Sequence, residues 1–343
     1  MADALTYPIA APADGACTLV ASGVWWVRLA LPGPLARINV WALEDGDGWT
    51  LVDTGVGSPA TIEAWERLLR EPPFSRPLVR VIVTHMHPDH VGMAGWFTRR
   101  FDVPLWMTRL EYLQCRVAAS DSGRAPPRDA LRFYRAAGWD DAALAAYTER
   151  FGKFGRSIQP MPDSYRRIVD GERIRIGPGE WEVVTGNGHS PEHACLYDAG
   201  RRLLISGDQV LPRISSNVSV QAIEPGANPM ADWLASLARL RSRVPDDVLV
   251  LPAHNECFRG LHARLAHLQA DQHAALDGLR ALLAEPRRVV DVFGALFRRP
   301  IPHDDASLLG MATGEAVACL NYLLARGEAA AQLRDGVTWY FRT

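Results

Sequence analysis

The side chains best suited to chemistry lie in one short stretch, Thr84-His85-Met86-His87-Pro88-Asp89-His90. It holds three imidazoles and one carboxylate within six residues, and it directly follows the apolar run 79–83. Neutral imidazole and carboxylate are ligands that Zn²⁺, Fe²⁺ and Mn²⁺ accept in proteins. Isolated histidines of a solvated loop rarely show this density and spacing, so the stretch predicts a metal site.

The spacing within this stretch predicts ligands for two adjacent metal ions. His85 and His87 alternate along a segment that we expect to be extended, so both can point to one side. Pro88 then breaks the strand. We expect Asp89 and His90 to turn toward a second point before a helix begins at about Val91.

Three residues farther along the chain complete the ligand set, each at a predicted strand-to-loop edge: His189, Asp208 and His254. The predicted ligands of the first metal are His85, His87 and His189. Those of the second metal are Asp89, His90 and His254. Asp208 would place one carboxylate oxygen on each ion, which leaves room for a bridging water or hydroxide and for substrate.

Taken together, these motifs resemble those of the metallo-β-lactamase superfamily, in its glyoxalase II-like and β-lactamase-like ribonuclease branches. The matching segments are 85–90 (His-x-His-x-Asp-His), 188–193, 206–208 and 252–254. The resemblance implies an α/β (α+β) fold, an αββα sandwich over about residues 20–257 with the metals at one edge. It also implies that Asp53 orients a ligand histidine. His193 is expected to have a supporting or structural role, with metal binding as the lesser alternative.

Two departures from common family patterns bear on function. The commonest class B β-lactamases use cysteine at the second metal, where this chain has Asp208, so we do not expect penicillin hydrolysis. Ala253 and Asn255 flank His254 in place of the commoner glycines, which leaves the ligand itself intact.

The elements that must position these residues divide the chain in two. Strands alternate with helices over 24–254, which predicts two packed sheets with helices outside. We therefore expect a catalytic domain over 1–257, with residues 1–23 as a lead-in. A helical insertion at about 108–160 is a candidate lid or substrate wall, although most of its aromatic residues are expected to fill a small core of its own. Residues 258–343 are predicted to form helices followed by a β-hairpin. This order of elements resembles a winged-helix domain.

Composition and charge indicate a small-molecule substrate rather than nucleic acid. The net charge of −2 provides no general attraction to nucleic acid or anionic membrane. The five cysteines form no Cys-x-x-Cys pair and indicate buried thiols in a reducing compartment. The start of the chain lacks the basic residues of a secretory signal, and no apolar run is expected to cross a bilayer. We expect a cytoplasmic protein with no membrane partner; the oligomeric state is left open.

The chemistry predicted from the ligand set is hydrolysis. Two Zn²⁺ ions, or Fe or Mn in their place, would acidify a shared water toward a pKa of about 7. Asp89 and Asp208 are the predicted catalytic residues, and Asp89 would also take up a proton. The favoured substrate is a small thioester, ester or lactone, and the alternative is a single-strand endoribonuclease. A non-catalytic scaffold is disfavoured by the complete ligand set.

The remaining acids and histidines are expected to lie outside the chemistry. Glu192 and Glu256 are interpreted as solvated loop acids, with assistance in proton transfer as the lesser alternative. Surface or partly buried positions are predicted for His262, His267, His273 and His303.

Overall fold

The computed structural model describes residues 5–302 and 304–343, so the prediction for His303 lies outside the described residues. Its first sheet has seven strands that lie side by side in chain order. They are β1 (Ala16–Ala21), β2 (Val24–Ala30), β3 (Arg37–Asp45), β4 (Gly48–Val52), β5 (Leu78–Ile82), β6 (Leu105–Met107) and β7 (Arg166–Arg167). Strands β1 to β4 are antiparallel, and β4 to β7 run parallel.

Strand β1 corrects the prediction that residues 1–23 are only a lead-in. It pairs with β2 from Ala16 opposite Arg28 to Ala21 opposite Val24. Sequence reasoning missed it because β1 is an edge strand whose residues are nearly all half-buried, and Leu19 is even exposed. Such a strand shows no alternation between buried and exposed positions, which is the signal that identifies strands in a sequence.

The second sheet has five strands. They are β8 (Arg173–Ile176), β9 (Gly179–Gly186), β10 (His193–Asp198), β11 (Leu203–Gly207) and β12 (Leu249–Pro252). Their order in space is β12-β11-β10-β9-β8, with β10 antiparallel to both β9 and β11, and β11 parallel to β12. Strands β9, β11 and β12 therefore run in the same direction and end at the same edge.

The two sheets pack face to face, and helices cover both outer faces. Trp26 and Trp41 of the first sheet lie in one buried cluster with Trp181, Ile205 and Leu251 of the second. The first sheet is covered by α1 (Pro59–Leu68) and α3 (Ala94–Phe101), and the second by α7 (Pro229–Arg243), α8 (Leu261–Leu282) and α10 (Ala306–Ala325). The predicted αββα sandwich is confirmed.

The helical insertion is present, but its aromatic residues do not form a separate core. It contains α4 (Arg109–Ser120), α5 (Arg128–Ala136) and α6 (Asp141–Arg150). The rings of Tyr134, Trp139 and Tyr147 do pack on one another, but the same buried cluster continues into the C-terminal helices. Trp139 Nε1 donates a hydrogen bond to Thr313 Oγ1 of α10 at 2.9 Å. The expectation of a core belonging to the insertion alone is therefore wrong for α5 and α6.

The C-terminal region has the predicted order of helices followed by a hairpin. After α8 and a 3₁₀ turn at Val289–Val292 come the short helix α9 (Phe293–Leu296), α10, and the hairpin of β13 (Ala329–Arg334) and β14 (Val337–Arg342). The hairpin turns at Asp335 and Gly336, both with positive φ, as a two-residue turn that fits the twist of the strands requires.

Helix α10 corrects the expectation that no segment is apolar enough to cross a bilayer. Among the described residues it is long and apolar enough to do so, with a mean hydropathy of 1.4 over an 18-residue window. Its composition has another cause in this fold, because 56% of that window is buried inside the protein. Length and composition alone cannot distinguish such a core helix from a membrane span.

Candidate metal centre

The predicted ligands lie at one edge of the sandwich, in the segments that follow four strands. Those strands are β5, β9, β11 and β12, and the segments hold residues 84–90, 187–192, 208 and 253–254. The edge also joins the two sheets, since the backbone N–H of Ala194 donates to the carbonyl oxygen of Thr84 at 2.8 Å. Side chains from distant parts of the chain are thus held on rigid strand ends.

The first ligand loop differs in detail from the sequence prediction. Strand β5 ends at Ile82, so His85 lies in a loop rather than on a strand. A short helix, α2, begins at Pro88 and ends at Val91, with His87 as its N-cap. Proline is favoured in the first turn of a helix, where its missing N–H would have no partner. This helical turn directs the donor atoms of Asp89 and His90 into a different group from those of His85 and His87.

Asp53 organises the loop from the end of β4. Its carboxylate accepts hydrogen bonds from the backbone N–H of Thr84 at 2.8 Å and from Thr84 Oγ1 at 2.9 Å. The same carboxylate lies 2.8 Å from Nδ1 of His90. Because Nδ1 is occupied in this way, Nε2 of His90 is the nitrogen left to bind a metal.

The first group of donor atoms comes from His85, His87, His189 and Asp208. His85 Nε2 lies 2.9 Å from His87 Nδ1 and 3.3 Å from His189 Nε2. Asp208 Oδ2 lies 3.4 Å from His189 Nε2 and 4.0 Å from His85 Nε2.

The second group comes from Asp89, His90 and His254, together with the other oxygen of Asp208. Asp89 Oδ2 lies 3.8 Å from His90 Nε2 and 3.4 Å from His254 Nε2. Asp208 Oδ1 lies 3.5 Å from each of those two nitrogens. The two carboxylate oxygens of Asp208 thus face the two groups separately, in the arrangement predicted from the sequence.

Both groups fit a metal ion. Ligand atoms at zinc–ligand distances around one tetrahedral ion are roughly 3.3 Å apart, close to the spacings in both groups. Within the part of the chain that the structure describes, His90 Nε2, His254 Nε2 and Asp208 Oδ1 are buried without a hydrogen-bond partner. A buried polar atom without a partner costs about 1–3 kcal/mol, and a bound cation would satisfy all three.

The charge environment differs between the two groups. Burial and the neighbouring imidazoles hold the pKa of His85 well below its ordinary value, and burial with His189 lowers that of His87 to about 3. Burial also opposes protonation of His90 and His254, but the facing carboxylates outweigh it and raise both pKa values. His85 and His87 therefore offer neutral imidazoles, whereas a metal bound by His90 and His254 would displace protons.

His193 takes the supporting position expected of it. It is buried, and its Nε2 accepts a hydrogen bond from the backbone N–H of Asp208 at 3.1 Å. Its ring also lies against Gly207, where an added Cβ would come within 2.4 Å of His193 Nε2. The ring fixes the backbone of the bridging aspartate and does not belong to either donor group.

Glu111 of α4 is a supporting residue that sequence reasoning missed. Its buried carboxylate accepts hydrogen bonds from the backbone N–H groups of Met86 at 2.9 Å and Glu192 at 2.8 Å. Burial raises its pKa. It thereby ties the loop of His85 and His87 to the loop of His189. Its position four residues before the buried Cys115, on the inner face of a predicted helix, was the available signal.

The other acids and histidines have ordinary structural roles. Glu192 Oε2 accepts a hydrogen bond from the backbone N–H of Leu110 at 2.9 Å, in the first turn of α4, and Glu256 pairs with Arg213 at 2.9 Å. His262 is fixed by Val244 O, and His267 and His273 are exposed on α8.

Comparison with known proteins gives family matches over most of the chain. A model of the metallo-β-lactamase superfamily matches residues 33–254, and one of the metallo-β-lactamase-like C-terminal domain matches 276–343. The crystal structure of a beta-lactamase domain protein from Burkholderia ambifaria is similar, with 39% identity and a TM-score of 0.90. That similarity covers 100% of this chain and 99% of the other.

Two curated relatives carry names that describe an activity. The probable metallo-hydrolase YqjP of Bacillus subtilis (strain 168) is 25% identical over 92% of this chain and 97% of its own length. The acyl-coenzyme A thioesterase MBLAC2 of Gallus gallus is 26% identical over 69% of this chain and 79% of its own length.

Proposed function

This chain belongs to the metallo-β-lactamase superfamily, and we propose that it is a dinuclear-metal hydrolase of acyl thioesters. Its class, a hydrolase with a metal-binding His/Asp cluster, follows from the family and from relatives named as a metallo-hydrolase and a thioesterase. The observation that carries the dinuclear proposal is Asp208, whose two oxygens face separate groups of donors. The choice of thioester is supported by the relative named as an acyl-coenzyme A thioesterase.

The seven predicted ligands would bind two metal ions. One ion would be bound by His85, His87 and His189. The other ion would be bound by Asp89, His90 and His254. Asp208 would bind both ions. When bound, two Zn²⁺ ions would acidify water and polarise the thioester carbonyl. Iron or manganese fits the same ligand types.

Asp89 is the proposed proton acceptor. Burial opposes ionisation of Asp89, but the facing His90 and His254 outweigh it and lower the pKa of Asp89 in the metal-free protein. Bound cations would supply the positive charge once they displace the protons of those histidines. Asp89 takes a proton from water as the water oxygen bonds to the carbonyl carbon. The carbon–sulfur bond then breaks, and the departing thiolate receives that proton, giving a carboxylic acid and a thiol.

The test is a substrate panel with the zinc-, manganese- and iron-loaded protein. It contains short- and long-chain acyl-coenzyme A thioesters, lactones, aryl esters and labelled single-stranded RNA. We expect thiol release that stops with a chelator and returns with metal. Asp208→Ala should reduce it by at least about 100-fold, since even outer partners of metal ligands contribute about 10–100-fold.

Two results would count against the proposal. A protein with two bound ions that releases no thiol from any thioester would exclude the thioesterase activity, and RNA fragments instead would favour the nuclease alternative. Near wild-type rates and two bound ions in Asp208→Ala would show that the bridging role is misassigned. Circular dichroism of the variant checks that the fold is retained.

We further propose that the substrate is a small molecule met in the cytoplasm. Support comes from the balanced net charge of −2 and from the free cysteines, of which Cys115, Cys195, Cys257 and Cys319 are buried.

A further inference from the structure

The segment after the bridging Asp208 is a long loop, residues 209–228, with no regular secondary structure. It connects β11 to α7. Several of its hydrogen bonds come from helices of the C-terminal region. Arg264 of α8 donates to the carbonyl oxygens of Leu211 at 2.6 Å and Ile214 at 2.7 Å. Asn321 of α10 donates to those of Pro225 at 3.0 Å and Ala227 at 2.8 Å.

One residue of this loop contacts a predicted metal ligand directly. The backbone carbonyl oxygen of Asn217 lies 2.8 Å from Nδ1 of His189 and accepts its hydrogen. A hydrogen on Nδ1 leaves the lone pair on Nε2, the atom that faces His85 and Asp208. Such a partner fixes both the tautomer and the ring orientation of a metal-binding histidine.

The side chain of Asn217 is in turn held by α10. Its Nδ2 donates to Oε2 of Glu315 at 2.7 Å, and its Oδ1 accepts a hydrogen bond from Ser219 Oγ. The helix backbone lies directly against the loop at this point. The N–H of Val220 donates to the carbonyl oxygen of Gly314 at 3.0 Å, and an added Cβ at Gly314 would meet the side chain of Ser219 at 2.8 Å.

We propose that Glu315 is a positioning residue of the metal centre, which holds Asn217 so that the carbonyl oxygen of Asn217 orients His189. A residue of α10, outside the segment 33–254 that matches the catalytic family model, would in this way act on the first donor group. The inference rests on the proposed metal-binding role of His189. It gives the C-terminal helices a part in the chemistry as well as in the packing.

The test compares Glu315→Ala with Glu315→Gln in the full-length protein. Glutamine keeps an oxygen that can accept from Asn217 Nδ2, whereas alanine removes it. We measure the affinity for each of two Zn²⁺ ions by chelator competition, and the visible absorption spectrum of the Co²⁺-substituted protein. Glu315→Ala should lower the affinity for one of the two ions about 10–100-fold, as loss of a hydrogen-bond partner of a metal ligand does. It should also alter the cobalt spectrum. Glu315→Gln should remain within about threefold of wild type, well below that effect.

Asn217→Ala removes the same hydrogen bond from the other side, so the test does not depend on one variant folding. Asn217→Ala should lower the affinity for the same ion. The double variant should lose little further affinity, because the two residues act through one contact. Asn321→Ala is the matched control, since it removes two hydrogen bonds from the same helix to the far end of the same loop. Its effect should be clearly smaller than that of Glu315→Ala.

The proposal is overturned if Glu315→Ala binds both ions as wild type does. It is also overturned if Asn321→Ala is equally harmful, which would indicate general loosening of the loop, or if Glu315→Gln fails to rescue. Metal affinity is measured without substrate, so a protein that binds two ions but hydrolyses no thioester would refute the proposed activity and leave this test intact.

Discussion

Asp53 has an unfavourable backbone conformation, and both of its carboxylate oxygens accept hydrogen bonds. Its φ of 63° lies in the left-handed region, which most residues avoid and which Asp and Asn enter at lower cost. Its carboxylate contacts both Thr84 and His90. Strain of this kind persists where surrounding contacts over-determine the conformation, as they do at functional sites. One residue thus connects the end of β4 to the first ligand loop.

At the same scale, the raised pKa of Glu315 predicts that the stability of the protein depends on pH. Burial raises its pKa from 4.5 to about 7. A folded pKa above the unfolded value means that its contribution to stability is complete below pH 4.5 and is lost as pH rises through about 7. Between pH 5 and 8.5, metal-free wild type should lose on the order of 1–3 kcal/mol more unfolding free energy than Glu315→Gln.

Urea unfolding of both proteins at several pH values measures this difference. The groups facing Glu315 are Asn217, which does not titrate, and the thiol of Cys319 one helical turn away, whose pKa lies above this range. Identical pH profiles for the two proteins would show that Glu315 is ionised at neutral pH.

At the scale of elements, two of the ligand loops begin at a strand end and are held in place by a helix. Glu111 of α4 fixes the loops of His85 and His189, and α10 fixes residue 217 behind His189. Strand ends set where a ligand backbone lies, and these helices set how the loop is oriented.

Glu111→Ala tests the role of α4. It would leave the backbone N–H groups of Met86 and Glu192 buried without acceptors, and each such group costs about 1–3 kcal/mol. We expect the unfolding free energy to fall by about 2–5 kcal/mol and metal affinity to fall with it. Glu111→Gln, which keeps one acceptor, should fall between alanine and wild type. Wild-type stability of Glu111→Ala in urea unfolding would contradict this account.

At the scale of the whole molecule, the C-terminal region shares its core with the catalytic fold. One buried cluster contains Val184 and Val250 of the second sheet, Leu237 of α7, Leu265 of α8 and Leu320 of α10. Residues of the insertion, including Trp139, belong to the same cluster. A domain that folds alone needs its own hydrophobic core. The predicted domain boundary between residues 257 and 258 would divide this shared cluster.

A chain that ends at residue 257 should therefore fail to form a cooperative fold. Removal of α8 and α10 would expose the outer face of α7 as a large apolar patch, which favours aggregation. We expect low soluble yield, dye binding to exposed apolar surface and loss of near-ultraviolet circular dichroism. A truncated protein that unfolds cooperatively and still binds two metal ions would show that the shared core is dispensable.

The sequence alone predicted the candidate ligand set and determined the layered architecture. His85, His87, Asp89 and His90 were recognisable because metal ligands are restricted to a few residue types and lie close together in one loop. The sandwich was predictable because buried strands carry apolar runs that repeat along the chain.

Only the tertiary structure decided what holds those ligands in place. Glu111, Asn217 and Glu315 are separated from the residues they orient by tens of residues along the chain, and Glu315 lies 98 positions from Asn217. Any carboxylate or backbone carbonyl can accept a hydrogen bond, so residue type does not identify such partners. Their role depends on the close approach of α4 and α10 to the ligand loops, which packing of the complete chain creates.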